Sequence, residues 1–318
     1  MEKPKNPKIG IVGLGMVGEQ MRRYYEEKRG YRRLVNLFCY DVDGRKLYHD
    51  NIACADVIFV CVPTPSLRDG SCDTNVVERV ISKYADKKPS PVFVIRSTVV
   101  PGTCERFAQK YNVLILFNPE FLTEANAWED FMYPDRQIVG AASGAECHTK
   151  SIFFLLPHSE RGGDIAMTST EAEFVKYCSN EFGARKVCFA NQTAVRAALY
   201  SAVLGAPMDE HKILNAIGLD RRIGQSWMTL DYNHFRGYGG YCFIKDMNAQ
   251  IEEDLRVLSQ IKDATLYVLA RAAIQAIKAD RDFNRELLRS QKLSEEDVSC
   301  HDTDLLERAA KIVSVLFP

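Results

Sequence analysis

The sequence has no apolar run long enough to span a bilayer, and residues 1–8 are charged, without the apolar core of a signal peptide. It also has no excess of one charge, because 41 Lys and Arg face 42 Asp and Glu. This balance argues against a general nucleic-acid or membrane-surface binder. We therefore expect a cytoplasmic protein with no nucleic-acid partner and no membrane partner.

The ten cysteines are scattered without any Cys-x-x-Cys pair, and the six histidines stand singly. In a cytosolic chain this pattern predicts free thiols instead of a disulfide framework, and it predicts no metal site. The 318 residues, 46% hydrophobic and 26% charged, are typical of one large or two moderate globular domains.

A glycine-rich turn follows the first apolar segment, residues 8–12. Gly13, Gly15 and Gly18 have the spacing of a dinucleotide-binding turn, in which a helix N-terminus faces the phosphates. A second predicted strand, residues 34–40, ends at Asp41, an acid at the position that binds the adenosine ribose of NAD. The alternative for Asp41 is a solvated aspartate at the end of a strand.

Strand-like and helical segments alternate through the first half of the chain. This alternation predicts an α/β fold, an N-terminal Rossmann-type doubly wound parallel sheet followed by a helical domain. Polar turns follow the predicted strands, and ligands bind at the carboxyl ends of strands in this architecture. Thr64, Ser97, Thr98 and Glu120 are therefore expected to converge on one crevice. The further predicted strands are residues 56–62, 91–96, 113–117 and 136–140, with helices near 75–85 and 103–111.

The alternation stops near residues 141–150, where a loop is predicted to lead into helices. Thr170 and Glu173 have the spacing of a capping box. Lys176 and Asn180, four residues apart, are expected on one helix face, for which the alternative is a solvated surface. The other predicted helices cover residues 194–204, 207–217 and 246–281.

One cysteine stands directly after a glycine-rich segment, residues 237–240. If a helix begins there, Cys242 lies near its positive end, where a thiolate is favoured, and Asp246 shares its face. The alternative is a turn with a buried cysteine.

With these observations in hand, the chain resembles the UDP-glucose/GDP-mannose dehydrogenase family between Lys8 and about Arg285. Six motifs in order carry the resemblance. They are Gly13-Leu-Gly-Met-Val-Gly18, Ala55-Asp-Val-Ile-Phe-Val-Cys-Val-Pro-Thr-Pro65, Ser97-Thr-Val-Val-Pro-Gly-Thr103, Asn118-Pro-Glu-Phe-Leu-Thr-Glu124, Glu173-Phe-Val-Lys-Tyr-Cys-Ser-Asn180 and Gly239-Gly-Tyr-Cys-Phe-Ile-Lys-Asp246.

The resemblance implies an NAD-dependent, four-electron oxidation of the C6 alcohol of a nucleotide sugar, UDP-glucose-like, to a uronate. Cys242 is implied to form a thiohemiacetal and then a thioester. Lys176 and Asn180 are implied to stabilise the oxyanion, Asp246 and Thr98 to hold a water, and Glu120 to act as general acid/base.

The resemblance also implies which residues contact the two ligands. For NAD they are Gly13, Gly15, Met16, Val17, Gly18, Asp41, Lys46, Val62, Thr64, Pro65, Ser97, Thr98, Glu124 and Lys245. For the nucleotide sugar they are Glu120, Phe121, Leu122, Glu124, Lys176, Asn180, Arg222, Tyr238 and Gly239.

The sequence departs from the family in length. The connection from Asp41 to Ala55 is shorter, that from Arg222 to Cys242 is longer, and few residues follow Arg285. We expect a shortened form without the C-terminal UDP-binding domain, with limits of 1–150 for the NAD-binding domain, 151–285 for the helical catalytic and dimerisation domain, and 286–318 for a tail.

Long helices and the resemblance predict a homodimer. Two other functions stay open on the sequence. One is a two-electron NAD-dependent dehydrogenase of a smaller hydroxy substrate, and the other is a non-catalytic NAD-binding protein.

Overall fold

A computed structural model of the chain describes residues 6–232 and 235–299. The chain forms two compact units. Within the described residues, the first unit consists of residues 6–65 and 72–176, and the second of residues 66–71, 177–232 and 235–299. The domain limits given above stay predictions, and residues 300–318 of the predicted tail lie outside the described residues.

A sheet of seven strands forms the centre of the first unit, in the order β2-β1-β3-β4-β5-β6-β7. Neighbouring strands are parallel, except that β5 and β6 are antiparallel. The expected Rossmann-type fold is thus confirmed. The strands are β1 (Ile9–Val12), β2 (Leu37–Tyr40), β3 (Val57–Val60), β4 (Val92–Ile95), β5 (Ile115–Phe117), β6 (Gln137–Ala141) and β7 (Asp164–Thr168).

Strands β1 to β5 are apolar on both faces because helices cover both sides of the sheet. β1 and β3 are buried at every residue, as the uninterrupted runs Ile-Gly-Ile-Val and Val-Ile-Phe-Val require. The helices of this unit are α1 (Met16–Glu27), α2 (Asn75–Ala85), α3 (Thr103–Tyr111), α4 (Ala127–Met132) and α5 (Thr149–Leu155).

Strand β7 lies where the sequence predicted only a loop. Its residues are mostly exposed, so it carries no buried apolar pattern from which it could have been recognised. Backbone pairing with β6, from Gln137 opposite Asp164 to Ala141 opposite Thr168, makes it a strand.

The next helix, α6 (Ser169–Leu204), is a single helix of 36 residues, although the sequence suggested separate segments. It begins in the first unit and continues into the second. The second unit also contains α7 (Glu210–Gly218), α8 (Gly240–Leu258), α9 (Ala264–Ser290), α10 (Glu295–Val298) and a two-stranded ribbon of β8 (Asp231–Tyr232) and β9 (Phe235–Arg236). Within the described residues, no helix has the length and apolar character needed to cross a membrane.

The capping box predicted at Thr170 and Glu173 is wrong by two residues. Thr168 donates its backbone N–H to Glu171 at 2.8 Å, and its hydroxyl accepts the Glu171 N–H at 3.3 Å. The β7 pairing ends at Thr168, so the helix begins immediately afterwards. Glu173 instead accepts the backbone N–H groups of Gly102, at 2.6 Å, and Cys104, at 2.8 Å, at the start of α3.

Candidate active site

The glycine turn between β1 and α1 depends on the absence of side chains. Gly13 has φ +90°, and a Cβ on Gly18 would lie 1.9 Å from the carbonyl oxygen of Gly13. A Cβ on Gly15, which caps α1, would meet no atom within 4 Å. The turn therefore leaves open space at a helix N-terminus, which fits the pyrophosphate of a dinucleotide, and Met16 and Val17 form the first helical residues there.

Asp41, which follows β2, is bonded to this turn. Its carboxylate accepts the backbone N–H of Leu14 at 2.7 Å, that of Asp43 at 2.8 Å, and the Lys46 ammonium at 3.0 Å. Burial acts to raise the pKa of Asp41, but these hydrogen bonds and the Lys46 charge outweigh it, so the pKa lies below its usual value. Asp41 and Lys46 thus form one charged cluster beside the glycine turn.

Polar groups also connect the ends of β3 and β4. The Ser97 hydroxyl donates to the carbonyl of Val62 at 2.6 Å, and the Thr64 hydroxyl donates to the carbonyl of Thr98 at 2.7 Å. Thr64 and Ser97 are buried. These bonds join Thr64 to Thr98 and Ser97 to Val62, while the convergence of Thr64, Ser97, Thr98 and Glu120 on one crevice stays a prediction. Glu124 is half-buried on the segment after β5.

A buried ion pair joins the segment after β5 to α6. The Lys176 ammonium donates to the Glu120 carboxylate at 2.9 Å and to the Glu120 carbonyl at 2.6 Å. It also lies 5.3 Å from the centre of the Phe121 ring, and the N–H of Leu122 donates to Glu120 at 2.9 Å. Burial acts to raise the pKa of Glu120, but the Lys176 charge and hydrogen bond lower it below its usual value. Glu120 is consequently an ionised carboxylate.

A second polar group lies within the second unit. The Asn180 side-chain amide donates to Asp246 at 2.6 Å, and Lys245 forms an ion pair with the same carboxylate. Cys242 is half-buried in the first turn of α8, four residues before Asp246. The thiol thus lies at the N-terminal end of α8, where the helix dipole is positive.

Three residues expected at the substrate occupy other environments. The Tyr238 ring is 2% exposed and packs edge-on against Phe243 in the core of the second unit. A Cβ on Gly239 would lie 2.5 Å from the Phe235 ring. The exposed Arg222 is paired with its near neighbour Asp220 at 2.6 Å. Their substrate contacts stay predictions.

Two buried residues, Glu173 and Arg96, were assigned no role at the site by the sequence analysis. Glu173 serves the start of α3, and Arg96, directly after β4, lies 4% exposed against a cavity. The signal available for Arg96 was a charged residue continuous with an apolar strand.

Two family models match the chain. Residues 41–154 match the model described as UDP-glucose/GDP-mannose dehydrogenase family, NAD binding domain, and residues 170–264 match its central domain. The UDP-glucose 6-dehydrogenase of Rickettsia felis is 35% identical over 246 residues, which cover 75% of this chain and 52% of the relative. The chain spans about half the length of the curated relatives it matches.

Solved structures agree with this result. A UDP-glucose dehydrogenase from Pyrobaculum islandicum aligns with a TM-score of 0.67 at 26% identity, covering 92% of this chain and 73% of that one. A UDP-D-ManNAc dehydrogenase from Pyrococcus horikoshii has the same TM-score at 19% identity, covering 88% and 69%, and is a likeness of fold alone.

Proposed function

Because the chain belongs to the UDP-glucose/GDP-mannose dehydrogenase family, whose NAD-binding domain forms its first part, we propose that it oxidises a nucleotide sugar. The proposed reaction converts the C6 alcohol of a UDP-glucose-like substrate to a uronate and transfers four electrons in two steps. The UDP-glucose dehydrogenases among its relatives support this substrate class.

The cofactor supplies the oxidising power, since NAD when bound accepts one hydride in each step. The residues for its binding are those of the open glycine turn with Asp41 and Lys46, and those at the ends of β3 and β4. A Cβ at Gly15 would project into the space that the pyrophosphate needs.

The chain's own residues carry the carbon chemistry. The C6 alcohol loses a hydride to NAD and its hydroxyl proton to the water held by Thr98 and Asp246, which leaves an aldehyde at C6. The Cys242 thiolate then adds to the aldehyde carbon, forming a C–S bond and an oxyanion. Lys176 and Asn180 donate to this oxyanion as charged and neutral donors. The thiohemiacetal loses the second hydride, which leaves a thioester on Cys242.

Hydrolysis completes the reaction. A water held by Thr98 and Asp246 attacks the thioester carbon, the C–S bond breaks, and the sulfur leaves as a thiolate. Glu120, which is ionised, accepts the proton of the water. The acid is released with its two oxygens on C6.

The observation that carries the proposal is the group at the start of α8. Cys242 lies in the first turn of α8, and Asp246, one turn later, accepts a hydrogen bond from Asn180, which supports the proposal that this thiol is the nucleophile. A two-electron dehydrogenase has no use for this thiol.

The test is to count NADH per sugar for the chain and for a Cys242→Ser variant, with UDP-glucose, UDP-N-acetylhexosamines and GDP-mannose as substrates. Two NADH per sugar are expected, and the variant should lose uronate formation by about a thousandfold while its NAD affinity stays the same.

The matched control is Cys178→Ser on α6. Burial raises the pKa of the half-buried Cys178 to about 11, so this thiol is neutral and its replacement should leave turnover intact. One NADH per sugar with an aldehyde or ketone product would favour the two-electron alternative, and NAD binding without any turnover would favour the non-catalytic one.

We also propose that the active form is a homodimer formed through the second unit. The last turns of α6 expose Val203 and Leu204 by 76% and 68%, and the start of α9 exposes Val268 and Leu269 by 64% each. Apolar surface of this kind on a monomer is typical of a protein interface.

A further inference from the structure

A half-buried carboxylate on α8 is surrounded by groups that disfavour its charge. Asp254 is repelled by Glu181 of α6 and by its neighbour Glu253, and no cation of the described chain acts on it. The fourth titratable group of this cluster is Cys178 of α6, whose thiol pKa is raised by burial and, to a smaller extent, by Glu181 and Asp254. Neither the proposed reaction nor the proposed dimer uses this cluster.

The two neighbouring acids are paired with arginines of their own helices, whereas Asp254 is not. Arg185 lies 3.2 Å from the Glu181 carboxylate, one turn along α6. Arg256 donates to the Glu253 carboxylate at 2.7 Å on α8. Burial and, after it, the two like charges raise the pKa of Asp254 to about 6.

The polar partner of Asp254 is Gln250, one turn earlier on α8. Gln250 is 3% exposed, and its Nε2 donates to Asp254 Oδ1 at 2.7 Å, which lowers the pKa of Asp254 by less than burial raises it. The amide oxygen Oε1 of Gln250 is buried without a hydrogen-bond partner. A buried acceptor without a donor is costly, and an ionised carboxylate has no donor to offer.

We propose that Gln250 and Asp254 form a pH-sensitive switch in the packing of α8 on α6. A proton from solvent on Asp254 Oδ2 supplies the missing donor. The new O–H donates to Gln250 Oε1 while Nε2 still donates to Oδ1, which closes a cyclic pair of an acid and an amide. Loss of the proton opens one side of this pair and restores the repulsion from Glu181. The protonated pair holds the last turns of α8 against α6, and the ionised pair loosens them.

The effect of pH on stability follows from the direction of the shift. Because the folded pKa of about 6 exceeds the ordinary 3.8, the contribution of protonated Asp254 to the free energy of unfolding is fully present below about pH 4 and is lost as the pH rises through about 6. Solvent screens part of this effect at a half-buried group. We therefore expect this group to raise the unfolding constant of the second unit at least about tenfold between pH 4 and pH 8.

Urea unfolding between pH 4 and pH 8 tests this expectation, followed through Trp227 of the second unit in a Trp128→Phe background. Asp254→Asn does not ionise and still pairs with Gln250 through its amide. Relative to the parent, its unfolding constant should therefore fall at least about tenfold from pH 4 to pH 8. Glu286→Gln, which changes an exposed carboxylate of the same unit, should follow the parent. The proposal is overturned if Asp254→Asn also follows the parent.

Infrared difference spectra test the pair itself. Between pH 8 and pH 4 the parent should gain the carbonyl band of a protonated, hydrogen-bonded carboxyl group that Asp254→Asn lacks. Gln250→Met, which keeps the length of the side chain but removes both amide atoms, should shift this band because the O–H loses its acceptor. An unshifted band in Gln250→Met would show that Asp254 titrates without the pair, and the switch would be excluded.

Amide hydrogen exchange of residues 250–258, corrected for the pH dependence of the intrinsic rate, measures the loosening. Protection in the parent should fall at least about tenfold from pH 4 to pH 8, and Asp254→Asn should retain it. Equal protection of the parent at both pH values would contradict the switch. None of these measurements uses NAD or a sugar, so their outcome is independent of the proposed enzyme activity.

Discussion

Asp41 is expected to act both in the fold and in cofactor binding. Its carboxylate accepts the N–H of Leu14 within the glycine turn, and it lies where an NAD ribose is expected. Asp41→Ala should therefore weaken NAD binding at least tenfold and also lower the stability of the first unit by about 1–3 kcal/mol. Calorimetric titration with NAD and urea unfolding measure the two effects.

The control for Asp41 is Asp43→Ala, since the Asp43 carboxylate bonds to Arg45 at the surface and its backbone N–H, which serves Asp41, survives the change. Unchanged NAD affinity in Asp41→Ala would remove this residue from the ribose site.

Glu173 is a buried carboxyl group with a pKa that burial raises to about 7. Its pKa in the unfolded chain is the ordinary 4.5, so the folded state holds its proton more tightly. The contribution of protonated Glu173 to the free energy of unfolding is fully present below about pH 4.5 and is lost as the pH rises to about 7. The loss amounts to about 3 kcal/mol.

Glu173→Gln should flatten this pH dependence, because the amide does not ionise. We expect it to lower the free energy of unfolding by about 1 kcal/mol at pH 5, because one backbone N–H at the start of α3 loses its acceptor. At pH 8 the variant and the parent should differ less in this free energy. Urea unfolding at the two pH values measures it, with the exposed Glu160→Gln as control. If the free energy of unfolding depended on pH equally in Glu173→Gln and in the parent, Glu173 would not be the group with the raised pKa.

At the scale of elements, the start of α6 depends on a cap that the sequence placed two residues too late. Thr168→Ala removes the hydroxyl that accepts the Glu171 N–H and should lower the free energy of unfolding by about 1 kcal/mol. Thr170→Ala, an exposed position within the helix, should change it by less than about 0.5 kcal/mol. Chemical denaturation of the two variants measures these changes. A larger loss of stability in Thr170→Ala than in Thr168→Ala would support the cap predicted at Thr170.

The first turn of α8 contains the proposed nucleophile. Gly239 caps the helix and Gly240 has φ +72°, a conformation that other residues rarely adopt. Because the helix begins at Gly240, Cys242 lies in the first turn, where the helix dipole acts, and Asp246 lies one turn later, bonded to Asn180.

At the scale of the whole molecule, the proposed dimer can be tested without measuring catalysis. Val203→Glu should destabilise association by about 2 kcal/mol, roughly thirtyfold in the dissociation constant, because the new carboxylate would be desolvated in an apolar interface. Sedimentation or light scattering across a concentration series measures it. Val35→Glu, at an apolar position in the first unit that is 62% exposed, should leave association unchanged. A parent chain that stays monomeric at high concentration would exclude the dimer.

The sequence by itself determined the Rossmann-type fold, the family and NAD as cofactor. These follow from local information, since fully buried strands must be apolar throughout and the glycine turn tolerates no side chain at Gly13 or Gly18. Such constraints involve residues at fixed spacings in the sequence and can be recognised without the structure.

Only the tertiary structure decided the partners of the buried charges. Strand β7 exists through its pairing with β6, Glu173 accepts N–H groups at the start of a helix about seventy residues away, and Glu120 forms a buried ion pair with Lys176 of α6. The physical reason is that a buried charge is defined by what surrounds it in three dimensions, and segments distant in the sequence supply those surroundings.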